Sequence, residues 1–262
     1  MTKLALIAGQ GGLPAVLARG LDGRDWRAWH LADHPPDGIA SEGFRIERLG
    51  TLLAHLAEDG FTEVCFAGRV ARPAIDAQAI DAATAPLVPR MMAALRQGDD
   101  AALRTVLSFF EEAGLRVVAL QELVPGLMDV PQVGTPAQAD RADIARAAEL
   151  HRALSPLDVG QGLVVAGGQV LAIEALPGTD HMLDGLAAPF ARPPGGVFYK
   201  AAKAGQDRRI DMATLGPDTV DRVRDAGLSG IAVERGAVLV LDADEMRRAL
   251  TEAGLFLAVQ GP

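Results

Sequence analysis

The sequence predicts an α/β protein of two domains, the first built on a parallel sheet and the second of mixed α/β type. Three observations carry this. In the first half, short apolar runs alternate with amphipathic stretches, the pattern of strands joined by crossover helices. Of 262 residues, 49% are hydrophobic but only 4% aromatic, so the core must be built from Ala, Val, Leu and Ile, as in parallel sheets packed between small-residue helices. After about Val124 the texture changes to proline-rich turns and hairpin-like pairs of short runs.

Lys3–Ala8 reads as an apolar strand entering the glycine turn Gly9–Gly12. Pro14 suits the first turn of a helix, where its missing N–H costs nothing. Arg27–Leu31 is a second strand, Leu52–Asp59 a helix stopped by Gly60, and Glu63–Ala67 a buried strand ending at Gly68. Asp99–Ala113 is an amphipathic helix with Leu103, Val106, Leu107 and Phe110 on one face, closed by Gly114 and followed by a strand over Arg116–Leu120. Prolines cluster in 125–137, which divides the chain into domains 1–130 and 131–262. Beyond it, Asp140–Leu154 is a helix. Gly162–Ala166 and Val170–Ala175 form a hairpin about Gly167-Gly168. Gly230–Glu234 and Val238–Asp242 are expected to form a second hairpin near Arg235-Gly236. Asp244–Ala253 is a closing helix and Leu255–Val259 a last strand.

The net charge of −9, with no Lys/Arg run, speaks against nucleic acid as a partner. A single cysteine, Cys65, excludes an internal disulfide and fits a reducing compartment; in its apolar strand it reads as inert core. The N-terminal apolar run is too short for a signal peptide, and no stretch is long enough to span a bilayer, so membrane contact is expected to be peripheral. Of the five histidines only His30 and His34 have HxxxH spacing, and they fall at the end of a predicted strand rather than on one helix face, so zinc is not expected. Neither GxSxG nor GxxxxGK[ST] occurs, which removes nucleophile-elbow hydrolases and P-loop kinases.

Four motifs remain. Gly9-Gln10-Gly11-Gly12-Leu13-Pro14 joins a strand to a helix and can present N–H groups to an anion, although a tight turn needing glycine explains it as well. Asp33 lies where a dinucleotide ribose acid would, but Pro14 replaces the third glycine of that fingerprint. Gly98-Asp99-Asp100 either caps a helix or offers carboxylates to a metal or to nucleotide hydroxyls. The third motif is Asp158–Gly162 (DVGQG) before the first hairpin and Glu174–Asp180 after it, where Thr179 or Asp180 either caps a short helix from His181 or contacts a nucleotide. The segment Lys200–Thr219 combines cations (Lys200, Lys203, Arg208, Arg209), neutral hydrogen-bonding groups (Gln206, Thr214, Thr219) and the acids Asp207 and Asp211, four apart. These residue types suit pyrophosphate cleavage: oxygen ligands for Mg²⁺, cations for developing charge and an aligned water. A solvated charge run with internal salt bridges is the alternative.

Taken together, LALIAGQGGLP, EVCFAGRVARP, GDDAALRTVLSFFEEAGL, DVGQGLVVAGGQVLAIEALPGTDHML, KAAKAGQDRRIDMATLGPDTV and GLSGIAVERGAVLVLD resemble the LpxI type of UDP-2,3-diacylglucosamine pyrophosphatase, in the family's order and over nearly the whole chain. The resemblance implies a Rossmann-like N-terminal domain, a C-terminal α/β domain and substrate between them. It implies Mg²⁺-dependent hydrolysis of UDP-2,3-diacylglucosamine to UMP and 2,3-diacylglucosamine 1-phosphate (lipid X), with water attacking the α-phosphorus. The setting would be cytoplasmic with access to the inner membrane, and the state a homodimer.

Carried over residue by residue, Asp211 matches the family's essential aspartate in RxDxxT, as Mg²⁺ ligand or water activator, with Asp207 a second candidate ligand. Gly11, Gly12, Leu13, Gly68, Val70, Thr179, Asp180, Lys200 and Lys203 match motif positions expected to contact substrate, and Asp99, Asp100, Gln206 and Thr214 join them. Ala213 stands where the family's proline is expected, a change in loop stiffness rather than chemistry. Met182, Leu183, Leu186, Phe190 and Phe198 are candidates for an acyl groove, ordinary core being their other reading. A nucleotide-sugar or lipid-binding module without catalysis, and an NAD-dependent oxidoreductase, are the competing functions.

Overall fold

A computed structural model describes residues 2–70, 74–96, 99–188 and 190–261, the side chains of residues 99 and 100 excepted. The chain divides into two compact units, Met1–Pro125 with Asp207–Ile210, and Gly126–Gln206 with Asp211–Pro262.

The first unit is the α/β layer that the alternation predicts. Its strands are β1 (Lys3–Ala8), β2 (Asp25–Leu31), β3 (Glu42–Phe44), β4 (Glu63–Ala67) and β5 (Arg116–Val117). They pair in the order β3-β2-β1-β4-β5, all parallel. Helices α1 (Leu13–Gly20), α2 (Leu49–Glu58), α3 (Val88–Leu95), α4 (Asp99–Glu112) and α5 (Leu120–Leu123) flank it. Central β1 is buried from Leu4 to Ala8, as a strand covered on both faces must be. Phe109 and Phe110 of α4 seal one face against Leu52, Leu56 and Val64, each side chain stabilising by about 1.5–3 kcal/mol.

The run Arg116–Leu120 was expected to be one strand, but β5 stops at Val117. The Glu122 carboxylate accepts the Ala119 N–H at 3.3 Å, which turns the chain into α5 at Leu120. Strand order reverses between β1 and β4, so the loops at their carboxyl ends flank the switch point where such sheets bind ligands.

The second unit holds α6 (Gln138–Leu154), β6 (Gly162–Ala166), β7 (Gln169–Ile173), α7 (Gly178–Ala187), β8 (Val197–Lys200), β9 (Ala213–Leu215), α8 (Pro217–Asp225), β10 (Gly230–Glu234), β11 (Val238–Val240), α9 (Ala243–Ala253) and β12 (Phe256–Gln260). Its main sheet runs β12-β10-β8-β6-β7, with β12, β10 and β8 parallel and the β6–β7 hairpin antiparallel. Gly167 and Gly168 turn that hairpin, both with positive φ, as the pair requires.

The second expected hairpin does not form. Both edges of β10 are taken by β8 and β12, so the chain leaves at Ala237 and β11 pairs instead with β9, in a separate parallel two-stranded sheet. A continuous apolar strand flanked by partners on both sides cannot also close a hairpin on itself.

Candidate functional site

In the first unit the glycine turn and the loop after β4 are stitched together. Gly9 N–H donates to Ala67 O at 2.7 Å, Gln10 N–H to Arg69 O at 2.8 Å, and Arg69 N–H returns to Gln10 O at 2.9 Å. The loops approach so closely that a Cβ on Gly68, already at φ +94°, would lie 2.8 Å from Gly9 and Gln10 backbone atoms. Two N–H groups of the turn are therefore used internally. Those of Gly11, Gly12 and Leu13 find no acceptor among the described residues and open the N-terminus of α1. Asp33 sits apart, beside Arg45 and Glu47, in a small recess.

Next to this junction lies an apolar cavity of about 270 Å³, lined among others by Ile7, Phe44, Phe66, Val70, Val106 and Phe110. Val70, expected as a substrate contact, stands in its wall, and Leu103 lies on it at 42% exposure rather than in the core. The candidate groove of the second unit is different. Met182, Leu183, Leu186 and Phe198 are buried core, and Phe190 is exposed. Ordinary packing accounts for those four, and no sequence pattern marks the cavity because its walls come from separate elements. The side chains of Asp99 and Asp100, at the start of α4, lie outside the described residues.

In the second unit the chemistry gathers at the end of β8. Lys200 is buried, and its Nζ donates to Thr179 Oγ1 at 2.6 Å. The Thr179 hydroxyl donates to Glu174 Oε2 at 2.9 Å, and that carboxylate oxygen is 4.0 Å from the ammonium. Burial holds the Lys200 ammonium below its ordinary value, and the charges of Glu174, Asp180 and Asp211 oppose that shift. Thr179 does not cap its helix, nor does Asp180. The helix α7 begins at Gly178, ahead of the expected start at His181, so Thr179 lies within its first turn and its hydroxyl is free for Lys200. Asp180 is in the first turn, favourable for a helix dipole, with Arg222 at 3.6 Å.

Lys203 pairs with Asp158 at 2.5 Å, and Gln206 accepts the Lys203 N–H through Oε1 at 3.0 Å. Gln206 Nε2 is buried without a partner, a donor left for something else. Thr214 turns its hydroxyl back onto Met212 O. Asp211 is half-buried in the stretch before β9, and no described residue hydrogen-bonds to it. Asp207 and Asp211 do not share a face of one element. Residues 207–210 form a turn counted with the first unit, where Arg209 engages both Asp207 carboxylate oxygens. Arg209 thereby holds Asp207 below the usual carboxylate range.

Glu174 opens the Glu174–Asp180 motif, but motif reading gave it no role. Its signal was the DVGQG run: a Cβ on Gly160 would lie 2.1 Å from Glu174 O, and one on Gly162 would lie 2.7 Å from Glu174 Oε2. The two glycines make room for this side chain and its backbone.

Among the described residues no cluster of three His, Cys, Asp or Glu side chains could cage a metal. Mg²⁺ does not require a cage, being commonly held by one or two carboxylates with substrate phosphates and water. A lone carboxylate such as Asp211 fits that requirement.

Comparison with known proteins gives a consistent match. The LpxI N-terminal domain model matches residues 3–127 and the LpxI C-terminal domain model residues 126–258. A relative from Caulobacter vibrioides, named UDP-2,3-diacylglucosamine pyrophosphatase LpxI, is 39% identical over 272 aligned residues, covering 98% of this chain and 97% of its own.

Proposed function

The chain belongs to the LpxI family, a family of hydrolases, and from that premise we propose that it cleaves the pyrophosphate of UDP-2,3-diacylglucosamine in lipid A biosynthesis. Water attacks the α-phosphorus, the bond to the bridging oxygen breaks, and the products are UMP and lipid X. The observation that carries this reading is the full-length match to a relative of that name, at 39% identity.

The residues support the chemistry. The leaving sugar phosphate gains negative charge as the bond breaks. Lys200, a buried ammonium with hydrogen-bond donors beyond the one given to Thr179, is the kind of group that stabilises it. Gln206 Nε2 supplies a neutral donor, and the open N–H groups of Gly11, Gly12 and Leu13 suit an anion. Asp211 would hold Mg²⁺, with Asp207 left to Arg209. Bound Mg²⁺ neutralises pyrophosphate charge and lowers the pKa of a coordinated water. Asp211 also offers a carboxylate that can orient the attacking water or take its proton. The apolar cavity of the first unit has the lining an acyl chain requires.

No described helix is long and apolar enough to cross a membrane. From the family resemblance, the proposal also includes peripheral contact with the inner membrane from the cytoplasm, and a homodimer.

The test is UMP release in ¹⁸O-water with Mg²⁺, beside Asp211→Ala. Label in UMP and loss of turnover in the variant are expected. Label in lipid X would overturn the site of attack, and substrate binding without turnover by the wild type would overturn the activity.

A further inference from the structure

Only three of the 25 basic side chains are lysines, and two of them, Lys200 and Lys203, lie in one segment. A chain that otherwise uses arginine keeps a compact ammonium here, the cation whose protonation burial can tune. Lys200 is enclosed at the end of β8, with Phe198 two residues back on the same strand.

A hydroxyl has one proton, and Thr179 gives its proton to Glu174. Towards Lys200 it can then only accept, which is the polarity an ammonium needs. Without Glu174 the hydroxyl could rotate, and Lys200 would lose the carboxylate that lies closest to it. The position of Glu174 is itself enforced. Its N–H donates to Gly162 O at 2.8 Å, Gly162 pairs with Lys200 across β6 and β8, and no side chain fits at residue 162.

We infer that Glu174 is a positioning residue for Lys200: through the Thr179 hydroxyl it fixes the direction of the ammonium and leaves the remaining N–H donors for an anionic phosphate. The charged groups that bear on Lys200 are Glu174, Asp180 and Asp211, and of these only Glu174 reaches it through a hydrogen-bonded relay. This deepens the proposed function and rests on Lys200 serving a phosphate.

The test begins with a readout that needs no turnover. Three lysines give three side-chain signals in lysine-labelled NMR, each assigned by its Lys→Arg variant, and all three are titrated in wild type and Glu174→Gln. The Lys200 midpoint is expected to fall by about one unit in the variant, the others staying in place. The upper limb of the kcat/KM profile for UMP release should move down with it, the loss approaching about tenfold on the alkaline side of the wild-type limb. An unchanged Lys200 midpoint overturns the inference even if the enzyme turns over. A shifted midpoint in a protein that does not hydrolyse the substrate keeps the inference and sinks the activity.

Thr179→Ser and Thr179→Val decide the relay if Glu174→Gln does not fold. Serine keeps the hydroxyl and should retain kcat within about threefold, while valine should lose it by about 100-fold. Equal activities in the two overturn the relay.

Discussion

Arg209 grips Asp207 with Nε and Nη2, at 3.0 and 2.7 Å, while its Nη1 reaches Glu111 at 2.7 Å. Asp207 is thus spent on an ion pair within the first unit, whereas Asp211, four residues on, makes no such commitment. Asp211→Asn is expected to lower kcat by at least about 100-fold with little change in melting temperature. Asp207→Asn should lower stability by about 0.5–1 kcal/mol, the scale of a partly exposed pair, and cost less than about tenfold in kcat. Parallel kinetics and thermal melts of the two variants check this. Equal losses of kcat would place Asp207 in the chemistry.

Most of the first sheet was legible because β1 and β4 are continuous apolar runs bounded by glycine, and a strand covered on both faces leaves that mark. The β6–β7 hairpin was legible for its Gly167-Gly168 turn. What sequence could not supply was pairing between distant segments. Val238–Val240 looks like the return arm of a hairpin with β10, and only the occupation of both β10 edges sends it to β9. The site divides the same way. Lys200 and Thr179 were visible as motif residues, but their contact depends on β8 and α7 packing together. Glu174 opened the Glu174–Asp180 motif without a role of its own, and the cavity is drawn from strands and helices spread over the first 110 residues.

Glu47 is buried, accepting the Asp76 N–H at 2.8 Å and two hydrogen bonds from Arg45. Those bonds, Arg45 first, pull its carboxyl down from 4.5 to about 2. A carboxylate depressed on folding stabilises the native state above its unfolded value, and that contribution drains away as pH falls through the folded one. Stability should therefore decline between about pH 4.5 and about pH 2 in the wild type. Glu47→Gln should remove part of that slope and cost about 1–3 kcal/mol at neutral pH, because the Arg45 and Asp76 donors lose a charged partner. Urea melts at several pH values check both parts. A variant with the wild-type slope would show that Glu47 does not govern the acid limb.

The cavity prediction turns on size. Val106→Trp on α4 would place an indole in the space between Phe44, Phe66 and Phe110. If an acyl chain occupies it, excluding even two methylenes costs about 1.6 kcal/mol, or about tenfold in affinity. KM for a long-chain substrate should rise by that factor, and a short-chain analogue should be affected less. The comparison needs both substrates, since a general folding defect would affect them alike. Equal KM changes would remove the acyl chain from this cavity.

Cys65 offers a probe of how the first unit opens. It is fully buried in β4, pairs in register with Leu6 of β1, and burial raises its thiol to about 12. Reaction with a disulfide reagent requires the thiolate and access, and the folded strand denies both. At neutral pH the native protein should show no modification while the sheet is intact, and one equivalent per chain once denatured. With fast reclosing, the modification rate then measures the free energy of opening β4, and it should match the global unfolding free energy from urea melts. Peripheral destabilisation, as in Asp207→Asn, should leave the rate tracking the melt. A rate much faster than the melt allows would mean that β4 opens locally, without unfolding of the unit.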